Sequence, residues 1–197
     1  MQGIFIVFDG PDAAGTSTHA QLLAERLEAA GCPVLLTAEP TDGPLGKEIR
    51  DALKSGKADP MALQLLFTRD RAWHVRHVIE PALAEGKCVV CDRFTPSTIV
   101  YAEAQGLDST ELNNLNSNFP QPDCTIFTLP PLEVALQRLA VRASSEIFER
   151  EDFQRKIHAG YANMAAADPS IQVIDTSGPQ EKAADEIWRA VSATLPA

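Results

Sequence analysis

Gly3-Ile4-Phe5-Ile6-Val7-Phe8-Asp9-Gly10-Pro11-Asp12-Ala13-Ala14-Gly15-Thr16-Ser17-Thr18 is the stretch whose reading decides the fold. Gly3 to Phe8 is an apolar run of strand length, the pattern of a strand buried on both faces of a parallel sheet. The eight residues from Gly10 to Ser17 then match the phosphate-loop pattern G-x-x-x-x-G-K-[ST] at every fixed position except the lysine, where Thr16 stands. Beyond the loop, Leu22, Leu23 and Leu27 fall on one face of a helix predicted from Ser17 to Ala30. Glycine lets the backbone curl until its N–H groups point inward at phosphate oxygens, and the positive end of the following helix adds to the pull. Gly10, Pro11, Asp12, Ala13, Ala14, Gly15, Thr16, Ser17 and Thr18 are therefore the expected cradle for the phosphates of ATP, with the Ser17 hydroxyl placed to ligate Mg2+. The plainer reading is a glycine-bearing strand-to-helix turn that holds nothing. A lysine at position 16 would counter charge on the β and γ phosphates, so Thr16 should weaken the rate more than nucleotide binding.

The rest of the chain repeats the strand-helix alternation. Strands are predicted at Pro33–Thr37, Cys88–Cys91, Asp123–Leu129 and Ile171–Asp175. Helices are predicted from Pro44 past Leu53, over Pro60–Glu85 with a kink or restart at Pro81, over Pro96–Ala104, Ser109–Asn118 and Pro131 to about Arg142, over Arg150–Ala167, and from Gln180 onward. Five short strands separated by helices predict a doubly covered parallel α/β sheet, here a P-loop NTPase fold. One domain spanning residues 1–197 is expected, with a short lid at about residues 142–150.

Composition narrows the functions. A net charge of -10 over 197 residues argues against a nucleic-acid polymer or a membrane surface as partner. No basic n-region opens the chain, and no segment approaches the roughly 20 apolar residues of a membrane helix. A cytoplasmic protein is expected. Cys88 and Cys91 form a C-x-x-C spelling, but positions three apart on a strand face opposite ways, so their thiols should diverge and act as small buried apolar groups.

Further strings fit one pattern in order along nearly the whole chain: AEPTDGPLGKEIR from Ala38, LLFTRDRAWHVRHVIEPALAEGK from Leu65, CDRFTPSTIVYAEAQGLD from Cys91, FPQPDCTIFTLPPLEVALQRL from Phe119, EIFERED from Glu146 and VIDTSGP from Val173. With the phosphate loop they resemble the thymidylate kinase family, P-loop kinases of nucleoside monophosphates. The resemblance implies transfer of a phosphoryl group from ATP to dTMP with Mg2+, in a homodimer. Asp92-Arg93 also has its own case: it follows a buried strand at the carboxyl end of the sheet, where a carboxylate can hold Mg2+ through water and a guanidinium can clamp phosphates. Phe67 and Arg71 are four apart and share a helix face.

By resemblance, Phe67 stacks on the thymine ring and Arg71 bonds to its edge. Asp12 accepts from the 3′-hydroxyl of the acceptor; its plainer reading is an acid at a helix start. Arg50 contacts the acceptor phosphate, and Glu39-Pro40 works near that phosphate and its metal or water. Ser97, Thr98 and Tyr101 read the base edge and crowd the ribose 2′ position. Arg93, Asp92, Arg142 and Asp12 form the expected catalytic set, Arg138 joins the ATP site, and Ser17 and Asp92 the metal site. The chain departs from the family at Thr16, at Ile147 in Glu146-Ile147-Phe148-Glu149 where relatives carry arginine, and at Ala38 and Ala102. No arginine stands in Asp12-Ala13-Ala14, which leaves Arg138, Arg142 and Arg150 as nearby cations. Two alternatives stay open: a nucleotide-binding protein of this fold with weak or lost transfer, and a kinase for another nucleoside monophosphate.

Overall fold

The six residues of β1 (Ile4–Asp9) are all buried, because the strand lies at the centre of a sheet covered on both sides. A computed structural model describes residues 3–141 and 151–195. Its five strands run in the order β2 (Val34–Ala38), β3 (Cys88–Asp92), β1, β4 (Cys124–Thr128), β5 (Gln172–Ile174), and every adjacent pair is parallel. The chain goes from β1 outward to β2, returns to β3, and crosses to β4 on the far side of β1. That reversal opens a crevice at the carboxyl ends of β1, β3 and β4, where such sheets bind ligands.

Alternation along the strands sorts the core. Ile4, Ile6 and Phe8 pack with Leu23 and Leu27 of α1 (Thr16–Ala29) and Ile187 and Val191 of α9 (Gln180–Ser192). Phe5 and Val7 face the other way, onto Val75, Ile79, Val89 and Phe94. Cys88 belongs to the first group and Cys91 to the second, so the two thiols do diverge, and all four cysteines are free. A third apolar group joins Ile49 and Leu53 of α2 (Pro44–Ser55), Leu63 of α3 (Pro60–His74), Val100 of α5 (Thr95–Ala104), Phe127 of β4, and Ile157 and Tyr161 of α8 (Glu151–Ala167).

α3 widens into one π-helical stretch, Val75–Ile79, before α4 (Glu80–Ala84), whose first turn contains Pro81. Proline has no N–H to donate back along the helix and its ring crowds the preceding turn. The long helix expected here runs without a break from Pro60 to Ala84, so Pro81 does not restart it, and the departure from regular α-helix is the π-helical stretch just before it. α6 (Ser109–Asn116) and α7 (Leu132–Val141) complete the elements used below. Among the described residues no helix is long and apolar enough to cross a membrane. The expected lid at 142–150, with Arg142, Ile147 and Arg150, lies outside the described residues.

Candidate active site

Gly10 has φ 158°, and a Cβ there would stand 2.4 Å from the Thr128 carbonyl oxygen, so the loop leaving β1 presses on β4 too closely for any side chain. Ala13 (φ 60°) and Gly15 (φ 88°) then take left-handed backbone, curling the chain into the start of α1. Gly15 caps α1 and no side chain bonds to the helix start, which leaves first-turn N–H groups open to an anion. Thr16 is 5% exposed and its Oγ1 lies 3.3 Å from Thr128 Oγ1, so the side chain in the lysine's place is turned inward. Beneath the loop, Thr176 Oγ1 donates to Ala14 O (2.6 Å) and Arg138 Nη2 donates to Thr176 O (2.7 Å). Arg138 thus braces the loop from behind, while Ser17 and Thr18 are exposed at its mouth.

The Ser17 hydroxyl lies beside the Asp92 carboxylate on the wall of one cavity, and Asp92 Oδ1 is buried without a partner. Burial pushes the Asp92 carboxyl up, against the pull of Arg93 and of Ser17. Two adjacent oxygen donors, one with an unsatisfied lone pair, fit a hard cation that keeps waters and takes the rest of its shell from phosphates. Among the described residues no three His, Cys, Asp or Glu come together as a ready-made metal cage.

Arg93 stands at the junction of loop and crevice with φ 71°, a left-handed conformation costly for a long side chain and typical of functional sites. Its backbone N–H donates to Phe8 O (2.7 Å). Nη1 donates to Gly10 O (3.0 Å) and Ser97 Oγ (3.1 Å), and Nη2 to Asp12 Oδ1 (2.7 Å). Asp12 Oδ2 accepts from Gln154 Nε2 of α8 at 3.0 Å. Asp9, fully buried, sits below: Oδ1 accepts from Gly10 N, Ser97 Oγ and Tyr161 Oη, and Oδ2 from the N–H groups of Phe94 and Ser97. Burial, then the Asp9 charge, pushes the Tyr161 phenol up, so it stays protonated and donates. Sequence reasoning passed over Asp9, Gln154 and Tyr161. Asp9 had a signal in its position beside the loop, whereas the two α8 residues had none.

A cavity of about 240 Å³ opens beside Arg93. Its walls bring together all ten residues expected at an acceptor: Asp12, Glu39, Pro40, Arg50, Phe67, Arg71, Arg93, Ser97, Thr98 and Tyr101, joined by Leu53, Gln64 and Phe94. Arg71 is 1% exposed yet fully engaged along one side: Nε donates to Glu39 Oε2 (2.9 Å), Nη1 to Asn116 Oδ1 (2.5 Å) and Nη2 to Thr98 Oγ1 (2.9 Å). Its guanidinium also lies 4.9 Å from the Phe94 ring and 5.6 Å from that of Phe119. Glu39 Oε1 meets His74 Nδ1 at 3.1 Å, and His74 Nε2 meets Thr37 Oγ1 at 2.7 Å, tying the segment after β2 to α3. Arg50 donates from Nη1 to Pro40 O (3.0 Å) at the cavity wall. A larger cavity of about 520 Å³ lies on the other side of Pro40 and is walled in part by Ser17 and Asp92.

Comparison with known proteins gives concordant findings. A family model described as thymidylate kinase matches residues 8–187. A probable thymidylate kinase of Pyrococcus horikoshii is 41% identical over 182 residues, covering 89% of each chain. Thymidylate kinases of Citrifermentans bemidjiense and Thermomicrobium roseum are 42% and 40% identical, covering 89% and 97% of this chain and 85% and 95% of their own.

Proposed function

The chain belongs to the thymidylate kinase family, and from that premise we propose that it transfers the γ-phosphoryl group of ATP to the phosphate of dTMP, giving dTDP and ADP. The observation that carries the site assignment is the shared position of Arg93 and Asp12. Both touch the phosphate loop, and both wall the cavity that holds Phe67 and Arg71.

Each residue has a physical part. Phe67 offers a flat face for the base, and a remaining N–H on Arg71 Nη1 reaches its edge. Thr98 accepts from Arg71, which leaves its hydroxyl hydrogen for the substrate. Tyr101 stands where a ribose 2′-hydroxyl would crowd. Arg50 and Arg93 bring two guanidinium groups to the acceptor phosphate. The bond that forms joins an acceptor phosphate oxygen to the γ-phosphorus as the bond to the β–γ bridging oxygen breaks. Little proton transfer is needed, because the acceptor is already an anion, and stabilisation of charge on the transferred group dominates. Ser17 and Asp92 would hold Mg2+, which neutralises charge on the β and γ phosphates when bound. Asp12 fixes Arg93 and remains beside the acceptor sugar. Arg138 steadies the loop under ATP, and Arg142, outside the described residues, is the further cation of this reading. The reading also includes a cytoplasmic homodimer.

A coupled assay of ADP release with ATP and Mg2+ across dTMP, dUMP, dCMP, dGMP and UMP tests the proposal. dTMP should lead in kcat/KM, UMP should trail by a large factor, and chelation of Mg2+ should stop turnover. Equal use of purine monophosphates would overturn the acceptor assignment, and nucleotide binding without turnover of any acceptor would overturn the kinase.

A further inference from the structure

Gln64 lies on α3 one turn before Phe67 and two turns before Arg71, so three side chains descend one helix face onto the cavity. Gln64 is 1% exposed, and its Oε1 is buried with no hydrogen-bond partner among the described residues. The other polar side chains nearby each have a protein partner: Arg71 is held by Glu39, Thr98 and Asn116, and Asn116 also donates to Leu112 O at 2.8 Å. A buried carboxamide without a partner weakens the fold, and a leucine would fill the same wall at no such penalty. Polar groups left unpaired inside a binding cavity are the ones a substrate completes, and they discriminate strongly because the wrong ligand leaves them unpaired.

We propose that Gln64 is a specificity residue that reads the acceptor's base: its carboxamide hydrogen-bonds a ring carbonyl or ring N–H of the pyrimidine stacked on Phe67. The inference rests on the dTMP reading of this cavity. The amide presents a donor at one end and an acceptor at the other and turns to suit, so it serves the mixed polar edge of a pyrimidine. Phe67 lies between Gln64 and Arg71 along the helix, and a base on its ring has one polar side chain of α3 toward each end.

The test uses the full chain with Gln64→Leu and, as an unbranched second variant, Gln64→Met. Calorimetric titration with dTMP is compared with competitive inhibition by 2-deoxyribose 5-phosphate, which has the sugar and phosphate but no base. Loss of one hydrogen bond to the base should weaken dTMP about tenfold. The inhibition constant of 2-deoxyribose 5-phosphate should stay within about twofold, because it makes no base contact. The melting temperature without nucleotide should hold or rise in both variants, since an unsatisfied buried group has been removed. Unchanged dTMP affinity in the variants overturns the role of Gln64 and leaves the dTMP reading standing. Equal weakening of both ligands, or a fall in melting temperature in both variants, shows a structural role and overturns it too. Wild-type protein that binds no dTMP overturns the substrate reading itself, and this inference with it.

Discussion

In the acceptor cavity, Arg71 is tied to Glu39, Thr98 and Asn116 and pressed between Phe94 and Phe119. At the phosphate loop, a few residues away in space, Thr16 turns its hydroxyl to Thr128 and offers no charge to a phosphate. One region carries its cation in a braced, buried frame; the other relies on backbone N–H groups and on an arginine from the next strand. The contrast teaches that recognition and charge stabilisation are built from different materials here. In the proposed reading, recognition falls to the pre-organised side chains on α3, α5 and α6. In the proposed reaction, stabilisation of the transferring group falls to Arg93, which lies against Gly10 and is held by Asp12.

Removing Arg93 should have the largest effect. Arg93→Ala should lower kcat by about 10³ or more, the scale of an arginine that stabilises phosphoryl transfer, while the far-ultraviolet spectrum and dTMP-free melting stay close to wild type. A variant that keeps a tenth of the activity would show that the charge is shared more widely than the loop's geometry suggests. Arg71→Ala probes the braced side. It leaves the Glu39 carboxylate buried at 4% side-chain exposure without its guanidinium partner, and removal of one member of a buried pair costs about 3–5 kcal/mol. Chemical denaturation should register that loss, and dTMP affinity should fall with it. A stable Arg71→Ala protein would mean that the frame is looser than its hydrogen bonds imply.

How far the sequence foresaw this contrast depends on chain distance. The sheet and the loop were legible because each sits in compact strings, strand then glycine loop, whereas the expected acceptor set is spread over residues 12–101 and was drawn together only by the family resemblance. Ser17 and Asp92 were each legible in a string of their own, and only the fold brings them onto one cavity wall. The inward turn of Thr16 was not legible, since its partner Thr128 is 112 residues away at the end of β4. Gln154 and Tyr161 reach Asp12 and Asp9 from 142 and 152 residues away, and on α8 they look like any interior polar and aromatic residues. Gln64 stands out only once its missing partner is seen. Pro81 announced a disturbance of the long helix, which takes the form of the π-helical stretch before it, where Val75 and Ile79 pack with residues of β1 and β3.

Thr16→Lys sharpens the comparison at the loop. Arg93 already lies on Gly10, and an added ammonium beside it meets a like charge without the Asp12 partner that fixes the guanidinium. The expected change in kcat is under about threefold in either direction, worth less than about 1 kcal/mol in barrier. A gain of tenfold or more, measured at saturating ATP and dTMP, would show instead that the lysine's place is simply open and that Arg93 does not cover it.

The smallest effect concerns the floor of the loop. His19 lies on α1 at 4% exposure, its ring 3.5 Å from where a Cβ on Gly15 would stand, and its Nδ1 is buried without a partner. Burial first, and the Arg138 charge second, lower its pKa below the usual 6.5. The folded protein therefore holds a neutral imidazole while the unfolded chain takes up a proton as pH falls below about 6.5. In the window between that value and the lower folded pKa, the unfolded state binds more protons, so stability rises with pH and is lost on acidification. His19→Gln should remove this contribution and flatten the melting-temperature curve as pH falls below about 6.5. Comparing the two curves subtracts the carboxylates that titrate lower and are common to both proteins. Superimposable curves would show that the ring is as free to protonate in the fold as in the open chain. A charge could then sit under the phosphate loop, and the loop would not be the cation-poor partner that its contrast with the Arg71 frame requires.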